Sequence, residues 1–129
     1  MTSLRDLKNN IGAAETLRPQ VATDAVTGQT VDTRGFDSAC FHIQTGAVAG
    51  AGDFGVAFQE SDNGSDWGAV DADELDGSVP ATLVANSVYR VGYLGHKRYV
   101  RANATKAGGT SLALSASVLL GNPNQKPVA

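Results

Sequence analysis

The residues most able to do chemistry are concentrated in one segment of the chain, which reads YRVGYLGHKRYVRANAT from Tyr89 to Thr105. It places five basic side chains around three tyrosines: Arg90, His96, Lys97, Arg98 and Arg101 beside Tyr89, Tyr93 and Tyr99. A nucleophilic active site needs a serine or cysteine next to a base, with an acid to orient that base. The segment contains no acid, serine or cysteine, so its composition disfavours an enzyme site.

The rest of the chain offers little catalytic equipment. There are only two histidines: His42 lies within a strand pattern and His96 at a turn. Neither accompanies a G-x-S-x-G motif. The single cysteine, Cys40, excludes an intrachain disulfide and a cysteine-built zinc site. We therefore expect no catalytic residue, no metal site and no cofactor.

The formal net charge of −3 hides a segregation of charge along the chain. Residues 53–76 carry eight acids and no base, whereas residues 77–129 carry six bases and no acid. The two segments can pair within one fold or dock one copy against another, and the sequence leaves both open.

The acidic run SDNGSDWGAVDADELDG clusters the oxygen ligands that calcium prefers. Its spacing departs from the EF-hand pattern, because Gly64 stands in the third position counted from Asp62. A solvated loop is the better interpretation, with a loose cation site as the alternative. The candidate acidic contact loop consists of Asp62, Asp66, Asp71, Asp73 and Glu74.

For the basic segment, a protein-contact surface is the best interpretation, because Tyr and Arg are enriched at the hot spots of protein interfaces. On two strands joined by Gly95–Lys97, alternate side chains would present one basic, aromatic face. The candidates are Arg90, Tyr93, Lys97, Arg98, Tyr99 and Arg101. The alternative is a hairpin whose arginines pair with the protein's own acidic loop. Nucleic acid is not an expected partner, because five bases in an acidic protein are a weak footprint.

The remaining pattern predicts an all-β protein. Runs such as SACFHIQT, FGVAFQE and SLALSAS alternate with a period of two, and turns rich in glycine separate them. GAVAGAGD suits a hairpin connection. Seven or eight short strands predict an antiparallel β-sandwich or jelly roll.

The predicted boundaries divide the chain into three parts. Residues 1–19 form an N-terminal arm or short helix, suggested by the spacing of Leu4, Leu7 and Ile11. Residues 20–121 form the sandwich, and residues 122–129 form an extended C-terminal tail. No stretch of about 20 apolar residues is present, so no membrane partner is expected.

The order of several short motifs resembles a family of small phage and prophage proteins. These motifs are GFDSACFHIQTG, FGVAFQESDNGSDW, VGYLGHKRYVRANAT and SVLLGNP. In that family a QESDD/N turn, a paired-strand pattern around KRY and a terminal GxP recur in this order. Here they are Gln59–Asn63, Gly92–Arg101 and Gly121–Pro123, and the resemblance covers roughly residues 20–125.

The resemblance implies a virion structural protein, similar to the jelly-roll cement (decoration) proteins of short-tailed phages of the Bordetella phage type. Such a protein is made in the host bacterial cytoplasm and ends on the capsid surface. Its implied partners are the major capsid protein and copies of itself, as a dimer or trimer. The alternative is a glycan-binding or structural module of a phage tail or receptor-binding apparatus, with Trp67 stacking on a sugar ring.

Overall fold

A computed structural model describes residues 5–125 and residue 128, and almost all of its regular structure is β-strand. Two antiparallel sheets pack face to face, which confirms the predicted all-β sandwich. The strands are β1 Gly12–Ala22, β2 Val31–Asp32, β3 Phe36–Ala49, β4 Asp53–Ser61, β5 Gly68–Ala69, β6 Leu75–Asp76, β7 Val88–Tyr93, β8 Tyr99–Gly108 and β9 Ser111–Pro123. Short 3-10 helices span Lys8–Asn10 and Ala72–Glu74.

The strand order is that of a jelly roll. The five-stranded sheet has the order β1-β9-β3-β7-β6, and the four-stranded sheet has the order β2-β8-β4-β5. Strands therefore pair in a nested way, β1 with β9, β2 with β8, β3 with β7 and β4 with β5. A long hairpin that is wrapped into two sheets produces this nesting.

The core lies between the sheets and follows the alternation read from the sequence. On β3, Phe41 and Ile43 are completely buried while His42 between them faces outward. The Phe41 ring lies 4.5 Å from that of Phe58 on β4 and 6.4 Å from that of Tyr93 on β7. The contact between Phe41 and Phe58 joins the two sheets, whereas Tyr93 lies in the same sheet as Phe41. Aromatic side chains bury the most apolar area per residue.

The first strand begins earlier than the sequence pattern indicated. We expected alternation from Gln20 onward, but pairing starts at Gly12 opposite Leu120. Register shifts on both sides of Leu17 bury Thr16 and Leu17 consecutively. Such bulges interrupt the two-residue alternation of inward and outward side chains, so the alternation did not reveal this part of the strand.

The described part of the predicted N-terminal helix is only the 3-10 turn Lys8–Asn10. Leu7 is 64% exposed, so its side chain does not anchor a helix on the core; Leu4 is outside the described residues. At the other terminus, β9 continues to Pro123 opposite Phe36. The Val128 amide then donates to the Asn9 carbonyl at 2.9 Å. Lys126, Pro127 and Ala129 of the predicted tail are outside the described residues.

Two connections predicted within one sheet cross between sheets instead. The Gly50–Gly52 turn follows β3 in the five-stranded sheet and leads to β4 in the four-stranded sheet. Residues 94–98 likewise carry the chain from β7 to β8 across the sandwich. The hairpin predictions were wrong because alternation shows which side chains share a face, not which strands are neighbours.

Crossing connections gather the charged loops at one end of the sandwich. The pairs Asp32–Tyr99, Ser61–Tyr99 and Ala39–Tyr93 bring these strand ends together. We call this the charged end; its connections are residues 33–35, 62–67, 70–74 and 94–98.

Candidate protein-contact surface

The outer face of the four-stranded sheet carries the most distinctive part of the basic segment. On β8, Val100, Ala102 and Ala104 are buried, so Tyr99, Arg101 and Asn103 point away from the core. Arg101 lies opposite Gln59 of β4. Strand alternation therefore places alternate members of YVRAN on one outward row.

Arg101 is held in place by two interactions. Its guanidinium carbon lies 4.1 Å from the centroid of the Trp67 ring, and its Nε donates to Gln59 Oε1 at 2.7 Å. The same oxygen accepts a hydrogen bond from Asn103 Nδ2 at 2.8 Å. The stacked pair is therefore oriented before any partner arrives, although Trp67 was not among the predicted interface residues. The feature of the sequence that could have identified it is its position directly after the SDNGSD turn, close to the basic segment's strands in the fold.

Arg98 is fixed by a bidentate ion pair at the charged end. Its Nε donates to Asp32 Oδ1 at 2.9 Å, and its Nη2 donates to Asp32 Oδ2 at 2.8 Å. The hydrogen bond from Arg98 lowers the pKa of Asp32, and the same bond raises the pKa of Arg98. The guanidinium also lies 4.9 Å from the centroid of the Tyr99 ring. Planar bidentate pairing is the strong form of a charge-assisted hydrogen bond.

Lys97 forms an ion pair between the basic and acidic segments. Its Nζ lies 2.8 Å from Asp62 Oδ2, and this hydrogen bond raises the pKa of Lys97. Pairing within the chain therefore occurs at Lys97. Arg98 instead uses Asp32, which precedes the acidic segment, and Arg101 uses an aromatic ring.

The Asp62–Asp66 turn closes on itself through its own side chains. Asn63 Oδ1 accepts the amides of Ser65 and Asp66, each at 2.8 Å, and Asn63 Nδ2 donates to Asp66 Oδ2 at 2.8 Å. Gly64 has a φ of +77°, which a glycine adopts without strain. Among the described residues, no group of three or more His, Cys, Asp or Glu side chains is arranged to hold a metal ion.

The other acidic candidates lie beside the β7–β8 connection. Asp71 and Asp73 are exposed, whereas the Glu74 carbonyl accepts the Leu94 amide at 2.7 Å. Glu74 Oε2 is buried and has no hydrogen-bond partner among the described residues. Glu74 thus contributes to the position of the connection, while the two aspartates remain available at the surface.

Tyr93 belongs to the core rather than to a contact surface, which corrects its prediction as an interface residue. Only 6% of it is exposed. Its hydroxyl donates to Glu60 Oε1 at 2.7 Å and accepts the Lys97 amide at 3.1 Å. Burial and the hydrogen bond to Glu60 raise the pKa of Tyr93. The side chain therefore fastens the 94–98 connection to β4.

Arg90 is separated from the other arginines, which corrects the prediction of one continuous face. It lies on β7 opposite His42, on the outer face of the five-stranded sheet. Because β7 and β8 are in different sheets, Arg90 and Arg101 point away from opposite sides of the sandwich. The structure thus brings together the set that we call the basic–aromatic surface: Trp67, Lys97, Arg98, Tyr99 and Arg101.

Two open clefts flank Lys97 at the charged end. One, of about 260 Å³, is lined by Tyr93, His96, Asp37 and neighbouring residues. The other, of about 240 Å³, is lined by Glu60, Asp62, Asp66 and neighbouring residues. The surface beside the basic–aromatic surface is therefore concave and lined by charged residues.

In the part of the chain that the structure describes, no helix has the length and apolar character to cross a membrane. Comparison with models of known protein families finds no match, and neither does comparison with curated proteins.

Proposed function

We propose that the protein is a structural component of a phage virion. Its proposed role is that of a cement protein, which binds the outer surface of the major capsid protein shell and stabilises the head. The resemblance in motif order, with YLGHKRYVR as its most specific element, supports this proposal. A jelly-roll sandwich also supplies the rigid scaffold that such a role needs.

The observation that carries the proposal is the stacked pair of Arg101 and Trp67 beside Tyr99 and Arg98. These residue types dominate interface hot spots. Hydrogen bonds to Gln59 and Asp32 already orient both arginines, so a partner would bind without first ordering long, flexible side chains. Such pre-organisation reduces the entropy that association costs.

Salt dependence follows from the charges at the same surface. Lys97 and Arg98 form exposed ion pairs with Asp62 and Asp32. Acidic groups of a capsid subunit would approach the exposed sides of these two cations, while Asp62 and Asp32 keep the cations in place. Binding that uses these residues weakens as salt screens the charges.

The test is co-sedimentation of the purified protein with expanded heads that lack it, at rising salt concentration. We expect saturable binding at a fixed ratio to the capsid protein, with loss at high salt. Arg101→Glu and the double variant Arg98→Glu with Arg101→Glu should abolish binding while circular dichroism shows the fold intact. Lys106→Glu is the matched control: it lies on the same strand and makes the same change of charge. Absence of binding by the unaltered protein at every salt concentration would reject the cement function.

The second candidate, a glycan-binding module, has one observation in its favour: a partly exposed tryptophan beside an acidic turn. Arg101 covers one face of the Trp67 ring, so only the other face is free to stack on a sugar. Retention on a glycan surface, lost in Trp67→Ala but kept in Arg101→Glu, would favour this function over capsid binding. Retention that requires calcium would assign the acidic turn a role as well.

A further inference from the structure

The outer face of the five-stranded sheet carries charged residues on both flanks: Glu15 with Arg18 on β1, and Arg90 on β7 with Asp76 on the neighbouring β6. Register places four outward side chains in one row across β1, β9, β3 and β7, namely Glu15, Ser117, His42 and Arg90. Glu15 on β1 and Arg90 on β7 therefore lie at the same height along the strands, with β9 and β3 between them. In the described part of the chain, Arg90 makes no ion pair, and Glu15 pairs with Arg18 at 2.9 Å with both side chains largely exposed.

The centre of this face is small and uncharged. The outward side chains of β9 and β3 between the ends of the sheet include no Asp, Glu, Lys or Arg: they are Ala113, Ser115, Ser117, Leu119, Cys40, His42, Gln44 and Gly46. Short side chains leave the sheet surface flat, so another sheet can approach to the usual spacing of about 10 Å. Val21 and Val88, at the flanks of the face, are 65% and 57% exposed.

We infer that this face binds the same face of a second copy of the chain. The two-fold axis lies in the gap between the copies, parallel to the strands and above the boundary between β9 and β3. Such an axis carries β7 of one copy over β1 of the other. Because Glu15 and Arg90 stand at the same level, each Arg90 then faces the partner's Glu15, and the contact occurs twice. An isologous interface requires this kind of self-complementarity.

Within one chain the same two residues are badly placed to pair. They are three strand spacings apart, about 14 Å, and Ser117 and His42 lie between them. Across two stacked sheets their backbones are about 10 Å apart, with both side chains pointing into the gap. A contact between Glu15 and Arg90 is therefore available to a second copy and not to the monomer.

The size of the face predicts a weak dimer in solution. Four strands at normal spacing, over the length that the paired strands share, cover roughly 500 Å² on each copy. A total of roughly 1,000 Å² is at the lower limit of specific interfaces. Self-association through this face does not depend on capsid binding, because the basic–aromatic surface lies on the opposite sheet.

Cys40 provides a direct test. It is partly exposed, it lies on β3 one row from His42, and it is the single cysteine of the chain. The proposed axis places the two Cys40 backbones about 11 Å apart. A bis-maleimide with a spacer of about 10 Å should therefore form a covalent dimer, whereas a disulfide is too short to form there. The Cys40→Ser variant should give no cross-linked product.

Charge reversal tests the register of the interface. Arg90→Glu and Glu15→Arg should each weaken dimerisation by about tenfold or more, measured by sedimentation equilibrium, because like charges then face each other. The double variant Arg90→Glu with Glu15→Arg should restore dimerisation. Arg34→Glu, at the charged end, makes the same change of charge as Arg90→Glu and should leave dimerisation unchanged.

Three results would overturn the proposal. One is a protein that stays monomeric at millimolar concentration and gives no Cys40 cross-link. Another is a dimer that Arg90→Glu does not weaken, since the interface would then be elsewhere. The third is failure of the double variant to dimerise although circular dichroism shows that it is folded, because the proposed pairing of Glu15 with Arg90 would be wrong.

Discussion

The guanidinium of Arg101 stacks on the ring of Trp67 at 4.1 Å. Arg101 lies on β8, whereas Trp67 is the last residue of the 62–67 connection, and that turn of charged and polar residues brings the ring over β8. Both side chains stay partly exposed. The contribution of the contact to stability can therefore be measured separately from its role in binding.

Trp67→Ala should lower the free energy of unfolding by about 1–2 kcal/mol, because it removes a cation–π contact and part of an apolar ring. Trp67→Phe keeps a ring under the guanidinium and should recover part of this loss. Urea denaturation of the three proteins makes the comparison. Equal stability of Trp67→Ala and the unaltered protein would show that the stack makes no net contribution.

Tyr93→Phe should lower the free energy of unfolding by about 1–3 kcal/mol, because it leaves the Lys97 amide and a Glu60 oxygen without their partner. Tyr99→Phe is the matched control, since the described residues offer its hydroxyl no hydrogen bond. Chemical denaturation at neutral pH compares the two variants. A larger loss for Tyr99→Phe would contradict the assigned role of the Tyr93 hydroxyl.

Stability at alkaline pH should also depend on Tyr93. Burial raises its folded-state pKa above the ordinary value of 10.0, so the folded protein retains a proton that the unfolded chain releases. The contribution is therefore fully present below about pH 10 and is lost as pH rises toward the folded-state pKa. Thermal unfolding between pH 8 and 12 should show a steeper loss for the unaltered protein than for Tyr93→Phe. Parallel curves would exclude a raised pKa.

Asp32 should govern part of the stability at acid pH. The hydrogen bond from Arg98 lowers its folded-state pKa below the ordinary value of 3.8. The contribution is then present above about pH 4 and disappears as pH falls through the folded-state pKa. Between pH 5 and 2, Asp32→Asn should lose stability less steeply than the unaltered protein. Asp24→Asn, which removes an exposed carboxylate outside the described ion pairs, should follow the unaltered protein.

Gly28→Ala should lower the free energy of unfolding by about 2–4 kcal/mol or prevent folding. A Cβ at this position would lie only 1.9 Å from the Ala102 carbonyl oxygen, so the loop before β2 would be pushed away from β8. The control is Gly68→Ala, because a Cβ there meets nothing within 4 Å. Thermal melts of both variants make the comparison, and equal melting temperatures would contradict the close approach at Gly28.

The sequence by itself determined the class of fold and most of the core. Alternation in SACFHIQT and SLALSAS identified Phe41, Ile43, Leu112 and Leu114 as inward-facing, because side chains on a strand alternate whatever its neighbours are. It also located the residues of the basic–aromatic surface, except for Trp67. The same period failed at β1, where bulges around Leu17 interrupt it.

Only the tertiary structure decided which strands are neighbours. Strands β7 and β8 follow each other in the chain but belong to different sheets. Arg90 and Arg101 therefore face opposite directions, although only eleven positions separate them in the sequence. Conversely, Glu15 and Arg90 are distant in sequence but stand in one row of one sheet. Which strands pair depends on how apolar faces from the whole chain are buried together. The pattern within one short segment does not contain that information.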